Sequence, residues 1–209
     1  MAYSLAQSIT EVRSIINEDT ASFWTDNQIT AWLQQGTLDW CEKSLLYADE
    51  DDITLVASQA KYTTSTSSNI DTASRVLHAE YSGKAMQRVS YTQIRAHNAR
   101  ALGSLTTPFY YYDQYFGNAL TVFIGPTPAA AQSGETVSVI FAMKTTDITD
   151  IADEYQPTIF LYAAHKCKVR ERQYQEASMF YQQYLANVYF SKADRLVPAV
   201  QPVDGYRIK

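Results

Sequence analysis

The chain's 209 residues give room for one full core with a smaller appended module, and exclude two generous domains. A hydrophobic content of 46% with 19% charged residues lies in the globular range and excludes wholesale disorder. Seventeen Lys and Arg against 22 Asp and Glu leave a net charge of −5, which repels nucleic acid at long range and argues against specific DNA reading unless the basic residues gather on one face.

The first residues lack the charged and apolar regions of a signal peptide, and the longest apolar run, Ile159 to Ala164, is too short to span a bilayer. A soluble protein made in a cytoplasm is expected, with no membrane partner. Cys41 and Cys167 each fall inside a helical pattern without partners at metal-ligand spacing, so buried free thiols are expected.

In chain order, Ser8 and Glu11 stand at capping-box spacing ahead of Val12, Ile15 and Ile16, which predicts a first helix ending near Asn17 to Thr20. Thr25 and Gln28 open a second, with Ile29, Trp32, Leu33, Trp40, Cys41 and Leu45 on a wide apolar face and Gly36 as a local weak point. The acidic run Asp49-Glu50-Asp51-Asp52 lacks the glycine and final glutamate of a calcium loop and reads as a solvated helix-to-strand connection.

The periodicity then changes to short runs rich in Val, Thr, Tyr and Phe. Strands are predicted over 53–57, 59–64, 75–81, 85–89, 109–115, 119–124 and 136–143, with hairpins through Ser82-Gly83-Lys84 and Phe116-Gly117-Asn118. Ser90 with Gln93 caps a short predicted helix over about 91–101.

Helical character returns at Asp153-Glu154-Tyr155-Gln156-Pro157, with Asp153 or Gln156 as the cap. Ile159, Tyr162, Ala163 and Lys166 mark one face of this third helix, and Phe160, Ala164 and Cys167 widen it. A fourth helix over about 173–193 turns Tyr174, Ala177, Tyr181, Tyr184, Leu185 and Val188 inward. Pro198, Pro202 and Gly205 make 196–209 an extended tail.

Two helical ends around a β middle predict an α+β fold: an antiparallel four-helix bundle formed by both chain ends, with an inserted antiparallel β module and an extended C-terminal tail. The expected parts are 1–48 with 153–195 as the bundle, 49–152 as the β module and 196–209 as the tail.

No nucleophile elbow, phosphate loop or Cys-His signature is present, and His78, His97 and His165 lack the spacing of metal ligands. A carboxylate pair for glycoside cleavage is open to any chain with 22 acids, but nothing in the spacing marks one, so no catalytic residue, cofactor or metal is assigned. In the basic stretch 165–172, Lys166 and Arg170 share one helix face while Lys168 and Arg172 share another, so no convergent phosphate groove is expected. The 16 tyrosines say more: Tyr110, Tyr111, Tyr112 and Tyr115 lie in one predicted strand, with neighbours on opposite faces. One face serves a core. The other is a candidate contact with a neighbouring subunit or the tail, against the alternative of a strand wedged inside its own domain.

Three widely separated segments carry a resemblance: Glu11-Val12-Arg13-Ser14-Ile15-Ile16-Asn17-Glu18; Phe23-Trp24-Thr25-Asp26 with Ile29, Trp32 and Leu33; and Asp153-Glu154-Tyr155-Gln156-Pro157 followed by Arg170-Glu171-Arg172-Gln173-Tyr174-Gln175-Glu176-Ala177. Together they resemble phage head-to-tail adaptor proteins over about 8–48 and 153–195. The resemblance implies a non-enzymatic virion protein at the head-tail junction. Such a protein forms a twelve-fold ring beneath the portal, continues the channel for duplex DNA and receives a tail nozzle or tail-tube protein. The tail residues Val200, Val203, Tyr206, Arg207, Ile208 and Lys209 are then expected to dock on the portal. Two other readings stay open: a nozzle or tail-completion subunit, and a virion-borne cell-wall hydrolase.

Overall fold

The computed structural model describes residues 3–18, 23–63, 72–92, 107–116 and 119–196. These divide into two compact units, the described residues of 1–46 with 145–209, and those of 47–144.

The helical unit holds α1 (Leu5–Ile16), α2 (Asp26–Ser44), α3 (Gln156–Arg170) and α4 (Tyr174–Leu196). α1 begins one turn earlier than the sequence suggests: Ser4 and Gln7 form the capping box, while Ser8 is buried within the helix. Both Ser-x-x-acceptor pairs fit the motif, and the Ser8 hydroxyl instead donates to the Ser4 carbonyl at 3.1 Å. Asn17 closes α1 in the left-handed conformation. α2 starts at Thr25 with its box to Gln28, as expected. Neither Asp153 nor Gln156 caps α3; Tyr155 occupies that position without a side-chain bond. Buried Gln156 donates from Nε2 to the Ile148 and Ile151 carbonyls and accepts from the Tyr3 amide, so it ties three segments together.

The helices do not form the expected four-helix bundle. α3 is the hub, with α1, α2 and α4 each packed against it, while α1 has its main contacts with α3 and α2. The cause is the wide apolar arc of α3, which buries Ile159, Phe160, Tyr162, Ala163, Ala164 and Cys167. A helix whose apolar arc is wider than one stripe takes several neighbours instead of sharing one corner of a common core. Cys41 and Cys167 are buried free thiols in this unit.

The β unit contains β1 (Ala48–Thr54), β2 (Lys61–Tyr62), β3 (Ala73–Tyr81), β4 (Lys84–Ala85), β5 (Gln87–Arg88), β6 (Tyr110–Phe116), β7 (Ala119–Gly125) and β8 (Thr136–Met143). They make two four-stranded sheets, ordered β1-β8-β3-β4 and β2-β7-β6-β5. Ile53, Val76, Val137, Val139 and Phe141 from one sheet meet Tyr62, Tyr111, Leu120, Val122 and Ile124 from the other in a single core. The module is not wholly antiparallel, because β5 runs parallel to β6. The predicted strand over 85–89 is broken in two at Met86, which drops into the core so that β4 serves one sheet and β5 the other. The acidic run is likewise a strand and not a connection, since all of Ala48–Thr54 pairs with β8.

The predicted helix near 91–101 lies outside the described residues beyond Thr92. The tail over 197–209 lies outside them entirely.

Candidate functional site

β6 positions the tyrosines. Alternation along the strand sends Tyr111 and Asp113 toward the other sheet and Tyr110 and Tyr112 to the opposite face. Tyr111 is 3% exposed and belongs to the sheet-to-sheet core. Tyr110 lies across its register partner Gly125, where an added Cβ would collide with the tyrosine ring. Tyr112 stacks on its own partner, Phe123, with ring centres 4.3 Å apart and planes 4° from parallel. Tyr91 stands 6.2 Å from Tyr112, and Phe109 meets Tyr110 edge to face at 5.1 Å. Tyr115 is 41% exposed, yet its hydroxyl donates to the Ala73 carbonyl at 2.8 Å, and the Lys144 ammonium lies 5.2 Å from its ring centre.

Burial pushes the hydroxyl pKa values of Tyr110, Tyr111 and Tyr112 upward, with Arg88 opposing the shift at Tyr111. These phenols therefore stay protonated. They can offer ring area and hydrogen bonds, which suits a contact surface. Of the four tyrosines singled out in the sequence, Tyr110 and Tyr111 place their rings inside the unit, whereas Tyr112 lies near exposed Tyr91 and Tyr115 is itself exposed on the other side of the strand.

Asp113 escaped the sequence reading. Its side chain, 6% exposed, accepts from the Val76 amide at 3.2 Å and from Arg88 at 2.6 and 3.1 Å. β4 covers only Glu80 and Tyr81 of β3, so among the described residues no strand pairs with Val76 on that edge, and the carboxylate accepts from its amide there. The available signal was parity, since Asp113 shares the inward side with Tyr111.

Lys166, Lys168 and Arg170 of the basic stretch have partners within the helical unit. Lys168 is buried between Glu171 at 3.2 Å and Glu176 at 3.4 Å. Burial works to lower its pKa, but the two carboxylates outweigh it and the net shift is upward. Lys166 lies 4.9 Å over the Tyr162 ring and Arg170 5.3 Å over Trp32. His165 points Nδ1 at the Ala177 carbonyl, 2.9 Å away, and its ring lies 4.8 Å from Tyr181. His78 pairs with Glu80 at 2.8 Å, and His97 lies outside the described residues. Among the described residues no three His, Cys, Asp or Glu side chains gather as a metal site, and no helix is long and apolar enough to cross a membrane. Val200, Val203, Tyr206, Arg207, Ile208 and Lys209, expected from the sequence to dock on the portal, lie outside the described residues.

The chain thus pairs a helical unit with a two-sheet unit that bears surface aromatics. The family model described as SU10 adaptor protein matches residues 3–202, so the match runs through both units. No curated protein matches the sequence. The chain belongs to the SU10 adaptor protein family, a phage head-to-tail adaptor family, and is a structural virion component.

Proposed function

We propose that this chain is the ring subunit between portal and tail, assembled in the host cytoplasm into a closed ring of twelve copies that continues the DNA channel for genome retention and ejection. The observation that carries this reading is the family match over residues 3–202. The acidic balance supports it further, because a channel along which duplex DNA must slide works best without a basic binding groove, and Lys166, Lys168 and Arg170 are held by partners within the helical unit. The DNA passes without sequence reading.

The tail over 196–209 docks on the portal through Val200, Val203, Tyr206, Arg207, Ile208 and Lys209. Tyr112 and Tyr115, on the strand shared with Tyr110 and Tyr111, face a neighbouring subunit or the tail nozzle or tail-tube protein. Electron microscopy of the chain mixed with its portal is the decisive test. Rings seated on portal particles are expected, and a chain that never joins the portal overturns the reading. Removing residues 197–209 should leave a folded chain that no longer attaches to the portal; undiminished attachment would refute the docking role of the tail.

A further inference from the structure

Helix α4 has an unusual outer surface. Its inward side is set by Ala177, Tyr184 and Val188, all buried. On the opposite side Gln175, Met179, Gln182, Ala186 and Tyr189 are exposed, separated by alternating steps of four and three residues. Phe190 stands beside this seam at 75% exposure, with Tyr189 at 58% and Met179 at 49%. From Ala177 to Ser191 the helix carries no charged residue at all. A solvated helix face is normally charged, whereas loss of charge with enrichment in Tyr, Phe and Met marks the centre of a protein contact.

The spacing and chemistry also say what covers it. Steps of four and three are those at which one helix seats against another, and Ala186 at mid-seam permits close approach. The exposed amides of Gln175, Gln182, Gln183 and Asn187 each donate and accept, so they need no oppositely charged partner. At a net charge of −5 two copies of the chain repel wherever their acidic surfaces meet, and an uncharged strip is where they can approach without that cost. We infer that the outward seam of α4, centred on Met179, Gln182, Ala186 and Phe190, is the surface on which a helix of a second copy of this chain packs. The inference rests on the ring reading above and specifies which face of the subunit builds the ring.

The test uses the full chain with the photo-crosslinker benzoylphenylalanine replacing Phe190. It is irradiated free at rising concentration and again after mixing with portal particles. Copy-to-copy adducts are expected in both. The double variant Gln182→Glu/Ala186→Glu keeps good helix formers and should lower the adduct yield at least about tenfold, while Ala31→Glu on exposed α2 surface leaves it unchanged. Adducts only to the portal, only to residues 197–209 of the same chain, or none at all would overturn the inference. If wild-type rings form and no copy-to-copy adduct appears, the face is wrong and the ring reading stands. If no rings form, the ring reading fails, and irradiation of the free chain still decides the pairing.

Discussion

Asp113 and Tyr184 show how single polar groups hold the two units. At Asp113 the neutral partner matters more than the charged one: Arg88 is 46% exposed, so that ion pair is screened by water, whereas the Val76 amide has no other acceptor among the described residues. Asp113→Ala should cost about 1–3 kcal/mol and Arg88→Ala under about 1 kcal/mol, read from urea midpoints. Equal costs would show the ion pair to be the greater term. In the helical unit, fully buried Tyr184 donates to Asp39 at 2.6 Å, and Asp39 also pairs with Lys43. Tyr184→Phe should lose about 1–2 kcal/mol by the same measurement, since it removes a hydrogen bond to a charged acceptor that keeps only Lys43 among the described residues. The sequence revealed the tyrosines on β6 because their number stands out, but it hid Asp113, since an acid on a strand usually marks the wet face. Only the edge beside Val76, which no described strand covers, makes an inward carboxylate useful there, and that is a tertiary feature.

Among the elements, Gly36 is where α2 and α3 touch. A Cβ there would lie 2.9 Å from Tyr162 and 3.2 Å from Ile159, both on α3. Gly36→Ala gains about 1 kcal/mol of helix propensity yet should destabilise overall by about 1–2 kcal/mol in urea unfolding, because overpacking outweighs it. The sequence saw a weak point; the packing makes it a contact. β1 offers a second case. The Met143 amide bonds the Tyr47 carbonyl and the Leu55 amide bonds the Glu135 carbonyl, so the even-numbered amides between them face away from β8. Two of these, Glu50 and Asp52, are capped by the preceding carboxylates Asp49 and Asp51 at 2.9 and 2.8 Å. The acidic run thus closes the edge of its sheet to other strands, both by occupying donors and by charge. Asp49→Val with Asp51→Val should raise the apparent mass in sedimentation, and an unchanged mass would contradict this role. Composition suggested a loop because charge runs favour water; an edge strand satisfies the same preference. The Thr25–Gln28 box was legible as it stood, whereas Ser8–Glu11 misplaced α1 by a turn because Ser4–Gln7 satisfies the same pattern.

Across the whole molecule, buried thiols and phenols set an alkaline limit. Burial raises the Cys41 pKa to about 11 and that of Cys167 to about 12, from an ordinary value of 9.0, and also pushes Tyr62, Tyr110, Tyr111, Tyr112 and most strongly Tyr184 upward. A raised folded pKa means the folded chain keeps protons that the unfolded chain releases. Stability is therefore unaffected by these groups below about pH 8.5 and falls as pH rises beyond it, with the tyrosines adding from about pH 10. Urea midpoints between neutral pH and pH 11 should decline in that order, and a flat profile would contradict the burial of these groups. At this scale the order of helical ends and β middle was legible from periodicity. The arrangement of helices was not, since a stripe shows that a helix needs a partner without naming it, and α3 turned out to need three.

The hydrogen bond from the Met143 amide to the Tyr47 carbonyl has a further meaning. The β unit begins and ends at neighbouring positions of one ladder, about 5 Å apart as paired strands are. To the helical unit its whole length is equivalent to a tight turn between Leu46 and Thr145. A cassette of different size could then be exchanged there while leaving the helices their original endpoints.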